Sequence, residues 1–178
     1  LQIISSIFNL QRAHVGDDPR CLDLVRDGQG RIQSMAFIHE SLYQSKNFAE
    51  VDLANYLERL CTNLVMSYSL QGRVNLHTDL QPLMLDLDKA IPCGLILNEL
   101  VSNALKHAFP GGRAGKVEVS SALDGSKVRI ALADDGVGFS SAHHQGSDSG
   151  LGMELVQVLI GQLDGSLERT TPPGSTGT

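Results

Sequence analysis

AIPCGLILNELVSNALKHAFP, residues 90–110, decides the fold. Its apolar residues recur at helical spacing, and the stretch predicts a helix from about Asp88, a good N-cap, to about Ala108, with Pro92 in the first turn. At about 100° per residue, Glu99, Asn103 and Lys106 fall on one narrow face, with His107 at its edge. Leu97, Leu100, Val101, Ala104, Leu105 and Ala108 fall on the other. A carboxylate, an amide oxygen and a cation therefore line one edge of an otherwise apolar helix. Alone, such a stripe fits a solvated helix face. It also fits a metal–phosphate site, because oxygen ligands suit Mg²⁺ and a cation suits phosphate.

Strands flank this helix. Before it, Val74, Leu76, Thr78 and Leu80 alternate as a half-buried strand does, and Leu83, Leu85 and Leu87 alternate after the break at Pro82. After it, beyond a turn rich in glycine (Gly111, Gly112, Gly115), Val117, Val119 and Ser121 predict one strand, and Val128, Ile130 and Leu132 predict another. Asp124-Gly125 between them is a hairpin signal. Further out, Ala54, Leu57, Leu60, Cys61, Leu64, Val65 and Tyr68 predict a helix ended by Gln71-Gly72. A last helix is predicted from about Leu151 to Leu163, with a further strand over 165–170. A strand–helix alternation that includes an antiparallel hairpin argues for an α+β fold, a mixed sheet with helices on one face.

The first 48 residues have a different pattern. Leu1, Ile4 and Phe8 form one helical stripe, and His14–Asp18 before Pro19 reads as a turn. A second helix follows to about Gln44, on which Leu22, Val25, Gln29, Ile32, Ala36, His39 and Tyr43 keep a heptad spacing. Two helices with broad apolar faces and a short connection predict an antiparallel hairpin whose natural partner is a second copy, hence a homodimer. Gly28 and Gly30 weaken it, each by about 1 kcal/mol relative to Ala in a helix interior. The chain is thus divided into a hairpin, 1–48, and an α/β sandwich, 49–178.

Composition narrows the class. The chain has 178 residues, 42% of them hydrophobic, with a net charge of −6 and a pI of 5.4. That suffices for one core plus a helical appendage, and without a long basic run nucleic acid is a poor partner. No stretch approaches the ~20 apolar residues that span a bilayer. Cys21, Cys61 and Cys93 are scattered, with no C-x-x-C pair, and read as buried thiols in a reducing compartment.

Two more segments carry chemistry. Asp134, Asp135, Gly136, Val137 and Gly138 follow the strand of Val128, Ile130 and Leu132. An acid there can accept a hydrogen bond from an exocyclic amine, and the glycines let backbone approach a flat ligand. A strand-ending turn reads equally well from these residues alone. Gly146–Gly152, in which Ser149, Gly150, Leu151 and Gly152 open a helix, places free N–H groups toward an anion. It matches neither a Walker A loop nor a Rossmann fingerprint.

In this order and spacing the three segments resemble the N, G1 and G2 boxes of the GHKL ATPase superfamily, and within it sensor histidine kinases of the HWE-like type. The runs 90–110, RIQSMAFIHESLYQS (31–45) and LQIISSIFNLQ (1–11) carry the resemblance over nearly the whole chain. It implies a Bergerat-type ATP site and phosphoryl transfer from ATP to a histidine nitrogen. By that resemblance Asp134 holds the adenine amine, Gly136 and Gly138 shape its pocket, and Asn103 binds Mg²⁺. Glu99 is the catalytic residue, ordering the metal's water or assisting proton removal. Lys106 and His107 face the phosphates, which Gly150, Leu151 and Gly152 cap, and residues 140–149 form a lid. The implied partners are a response regulator receiver domain and an upstream sensor domain, and the implied location is the bacterial cytoplasm.

Two departures accompany the resemblance. The family's acceptor histidine precedes the Leu-Gln with which this sequence begins, so no phosphoacceptor is expected within it. The family's last strand follows a Gly-Thr pair, and this sequence stops at Gly177-Thr178. His39, on the heptad stripe, reads as a packing residue; His143 and His144 read as lid residues; His14 and His77 read as surface residues. Two alternatives compete: a histidine phosphotransferase with a degenerate ATP-binding domain, and a GHKL serine kinase acting as an anti-sigma factor. The intact boxes count against the first, and the leading hairpin against the second.

Overall fold

The computed structural model describes residues 25, 27–36, 50–68, 70, 72–125, 127–138 and 151–170. Helix α1 is the stretch 27–36. There follow β1 (Glu50–Asp52), α2 (Leu53–Ser67), β2 (Val74–Leu80), β3 (Met84–Asp86), α3 (Leu87–His107), β4 (Gly115–Asp124), β5 (Lys127–Asp134) and α4 (Leu151–Gln162). The other residues of the expected hairpin, its boundary at 48, His14, His39 and Cys21 lie outside the described residues, as do residues 139–150 with His143, His144 and Gly150.

The sheet is mixed, in the order β2-β4-β5, with β2 parallel to β4 and β4 antiparallel to β5. Asp124 pairs with Lys127 around Gly125, whose φ of 61° suits a tight hairpin. Along β4 the alternation puts Val117, Val119 and Ser121 inward and Lys116 and Glu118 outward. Helix α2 covers that inner face with residues at i, i+3 and i+4 spacing: Leu53, Tyr56, Leu57, Leu60, Cys61, Leu64 and Val65. Helix α3 adds Leu97, Val101 and Leu105 to the same core. The result is the expected sandwich, a helical layer on one face of a mixed sheet. Burial pushes the Cys61 thiol up to about 12 and that of Cys93 up to about 11, and both are free thiols.

Local differences from the sequence reading have physical causes. A strand too short to show a period, β1, pairs antiparallel with β3 and leads straight into α2, where Asp52 caps by accepting from Asn55 N–H at 3.2 Å. Helix α3 begins at Leu87 and is capped at Asp86 without a side-chain bond, so Asp88 lies inside the first turn and complements the helix dipole instead of capping it. Pro92 is correspondingly the sixth helical residue, not part of the first turn, and has no N–H to give the Asp88 carbonyl. The strand expected over 165–170 is absent. Helix α4 instead closes with Asp164 at φ 49° and Gly165 N–H on the Ile160 carbonyl at 3.0 Å, and residues 166–170 are irregular.

Three helices meet at one buried phenol. Tyr56, from α2, is fully buried; its hydroxyl lies 2.7 Å from the Ser34 hydroxyl of α1, and its ring lies against Gly94 of α3. A methyl at position 94 would stand 1.7 Å from the Tyr56 oxygen. Gly94→Ala therefore forces the tyrosine out. Despite a gain of about 1 kcal/mol in helix propensity, it is expected to destabilise the chain by about 3 kcal/mol in urea unfolding. A neutral or stabilised variant would contradict this packing.

Candidate functional site

The polar face of α3 is not solvated. Glu99 is buried, with a side-chain exposure of 6%, and receives two hydrogen bonds from the Arg31 guanidinium of α1, Nε to Oε1 at 2.7 Å and Nη2 to Oε2 at 2.9 Å. Asn98 Nδ2 adds a third at 3.2 Å. These bonds hold Arg31 above its ordinary pKa, against the opposing effect of burial. Two turns further along α3, Lys106 Nζ lies 2.6 and 2.8 Å from the two carboxylate oxygens of Asp27, also from α1. Tyr68 hydroxyl reaches the same carboxylate at 3.5 Å. Since Asp27 meets Lys106 and Arg31 meets Glu99, the two helices run in opposite directions.

The contacting residues of α1 form a stripe of their own. Asp27, Gly30, Arg31 and Ser34 share one helical face, opposite the heptad positions 25, 29, 32 and 36. At Gly30 the backbone of α1 comes close to α3: a methyl there would stand 2.9 Å from Asn98 Oδ1. The glycine that reads as a weakness in an isolated hairpin is the residue that lets α1 settle on α3.

Asn103, one turn beyond Glu99, directs its amide nitrogen to Met153 Sδ of α4 at 3.8 Å. Its carbonyl oxygen has no partner among the described residues, so an oxygen ligand is open at this point. Gly152, in the first turn of α4, lies directly against Glu99; a methyl there would be 2.5 Å from Oε2. Leu151 opens that helix, and His107 is exposed at the end of α3.

The segment after β5 is fastened to the end of α3. Val137 N–H donates to the Ala108 carbonyl at 3.0 Å, and Gly136 is packed so closely that a methyl would stand 2.3 Å from Ala108 Cβ. Asp134 is exposed and accepts the Gly136 N–H through Oδ1 at 3.0 Å. Its other oxygen has no partner among the described residues. Asp135 turns away and accepts Lys116 N–H at 2.6 Å, tying the loop to β4. Gly138 follows with φ 71°. Asp134 and Asn103 thus stand on one frame, α3 with the loop stitched to its end.

This frame is that of a known ATPase fold. The sequence profile of the histidine kinase-, DNA gyrase B- and HSP90-like ATPases matches residues 88–178. The chain belongs to that family. A histidine kinase profile matches residues 1–68, so Asp27 and Arg31 come from one matched region, and Glu99 and Lys106 from the other. The chain is 29% identical to the sensor histidine kinase PdtaS of Mycobacterium tuberculosis, over 94% of this chain and 33% of that protein. It is 28% identical to blue-light-activated histidine kinase 2 of Erythrobacter litoralis, over 100% of this chain and 51% of that protein. It spans about a third to a half of the length of these two relatives. Among solved structures, the Erythrobacter litoralis EL346 blue-light-activated histidine kinase has the same fold, with a TM-score of 0.71 at 23% identity, covering 83% of this chain and 50% of that one. The histidine kinase domain of the same protein gives a TM-score of 0.67 at 20% identity, over 89% and 74%.

Within the ATPase fold, sequence reasoning named the α3 and loop residues and missed Asp27, Arg31 and Ser34. The signal for them was the polar i, i+4, i+7 stripe on the second hairpin helix, hidden behind its apolar heptad. Replacing Arg31 by Met leaves the buried Glu99 carboxylate uncompensated and is expected to cost about 2 kcal/mol in urea unfolding. Adding Glu99→Gln should recover most of that loss. A double variant no more stable than the single one would show that the pair does not compensate the buried charge.

Proposed function

We propose that this chain is the ATP-binding kinase core of a two-component sensor histidine kinase. It comprises a hairpin segment, 1–48, and a catalytic domain, 49–178. The observation that carries the reading is the common frame of Asn103 and Asp134: an open amide oxygen on α3 and an open carboxylate oxygen on the loop fastened to the end of α3. Asp134 accepts the exocyclic amine of adenine, and the loop from Gly136 to Gly138 forms the floor beneath the base. The Asn103 oxygen suits a hard cation. Mg²⁺ held there would neutralise charge on the triphosphate. Lys106, with His107 at the rim, faces the phosphates, and Gly150, Leu151 and Gly152 place helix-start N–H groups around them. Positioning and charge neutralisation then account for most of the acceleration of phosphoryl transfer to a histidine nitrogen. Glu99 assists proton removal once it is released from Arg31.

The likeness to sensor histidine kinases supports onward transfer to a response regulator receiver domain and an upstream sensor domain in the full-length protein. The heptad face of α1, turned away from α3, supports assembly of the hairpin with a second copy. No helix among the described residues is long and apolar enough to cross a membrane, and the reading places the core in the bacterial cytoplasm.

ATP with Mg²⁺ should raise the melting temperature, because a ligand of the native state stabilises it by mass action. Asp134→Ala should abolish most of the shift. Asn103→Ala should lose the Mg²⁺-dependent part and keep the response to adenosine. An undiminished shift in Asp134→Ala would place the base elsewhere, and no shift in the wild type would favour the phosphotransferase reading.

A further inference from the structure

The cations and anions at the α1–α3 contact are arranged as a pair of exchangeable bonds. Lys106 is held by both oxygens of one carboxylate, at 2.6 and 2.8 Å, and the Lys106 and Asp27 side chains retain exposures of 16% and 24%. That geometry is the one a lysine adopts on a phosphate: an ammonium between two anionic oxygens. Glu99 accepts two hydrogen bonds from Arg31 and one from Asn98, so most of its roughly four acceptor sites are engaged while the contact stands. An incoming triphosphate brings several negative charges to two cations already paired with carboxylates. It competes directly with Asp27 for Lys106, and a charge that loses its partner in a half-buried setting is strongly disfavoured.

We infer that Asp27 acts as a built-in occupant of the phosphate end of the nucleotide site. Its carboxylate holds the place of a phosphate on Lys106, and binding of ATP exchanges one for the other and loosens α1 from α3. This rests on the nucleotide-site reading above and goes beyond it by adding a residue of the hairpin segment to that site, as a positioning residue that acts through Lys106. Because Arg31 lies one turn along the same helix, loosening at Asp27 also relaxes the hold on Glu99. Charge neutralisation of the phosphates and release of the buried acid thereby become one event. The contact discriminates by charge: adenosine occupies the base pocket without contesting Lys106, and so leaves α1 in place.

The test compares affinities of the full chain for ATP with Mg²⁺ and for adenosine, using the wild type, Asp27→Asn and Asp27→Ala. Both substitutions should tighten ATP binding by about fivefold, the factor equivalent to ~1 kcal/mol for a partly exposed ion pair, and should leave adenosine affinity unchanged. A general structural role of Asp27 would move both ligands together. In the wild type, hydrogen exchange of the amides over 27–36 should quicken on addition of ATP and not on addition of adenosine. ATP affinity that is unchanged or weakened in both variants, or exchange over 27–36 that slows or stays constant with ATP, overturns the exchange while leaving the nucleotide site intact. Binding of neither ligand by any variant removes the site reading and the exchange with it. Binding of ATP by the Asp27 variants but not by the wild type supports the exchange in its strongest form.

Discussion

The arrangement of the helices depends on the space left at Gly94. Because that residue has no side chain, the ring of Tyr56 can lie across α3 and extend its hydroxyl to Ser34. The phenol is thereby a joint: its ring belongs to the core that α2 and α3 form over the sheet, and among the described residues its oxygen is satisfied only by α1. A buried hydroxyl without a partner is costly, so the same residue that completes the core also fixes where α1 rests. Burial moves the phenol well above its ordinary pKa, which keeps it a neutral hydroxyl.

With α1 placed there, its polar stripe meets the polar stripe of α3. Neither stripe is intelligible alone. A buried glutamate in a helix otherwise packed with Leu97, Val101 and Leu105 demands a cation, and the described structure supplies it from outside the ATPase domain. The chemical residues and the packing residues of α3 are interleaved at helical period, so the frame that positions Asn103 against Asp134 is the core helix itself. Rigidity of the proposed base pocket follows from packing, through the close fit of Gly136 on Ala108. On the α1 side, two ion pairs and the Ser34–Tyr56 hydrogen bond join the parts.

Local sequence pattern revealed most of the sandwich because its elements are long enough to show their period: the i, i+3, i+4 repeat of α2, the strict alternation of β4, the glycine of the 124–125 turn. It failed where the determinant was short or remote. Strand β1 has three residues, and the start of α3 was set by the strand that runs into it, not by the better capping residue two positions on. The ion pairs join residues 68 and 79 positions apart, and no local spacing points across such a distance. The candidate site residues on α3 and after β5 were legible because they form compact motifs. Those from α1 were not, because an arginine and an aspartate one turn apart look like an ordinary solvated face. Gly30 is the instructive case: helix propensity alone scores it as a defect, and only the position of Asn98 shows what the missing methyl makes possible.

The central claim is that one carboxylate, Asp134, reads the exocyclic amine of adenine on a frame shared with the phosphate end. Displacement of a fluorescent ATP analogue by ATP and by inosine triphosphate, both with Mg²⁺, tests it directly. The two nucleotides differ at the purine 6-position, where an amine donor is replaced by a carbonyl acceptor that would face the carboxylate. The account predicts displacement by ATP and a loss of at least about tenfold in affinity for inosine triphosphate, as expected when a charged hydrogen bond is replaced by two opposed acceptors. Equal displacement by both nucleotides would contradict it.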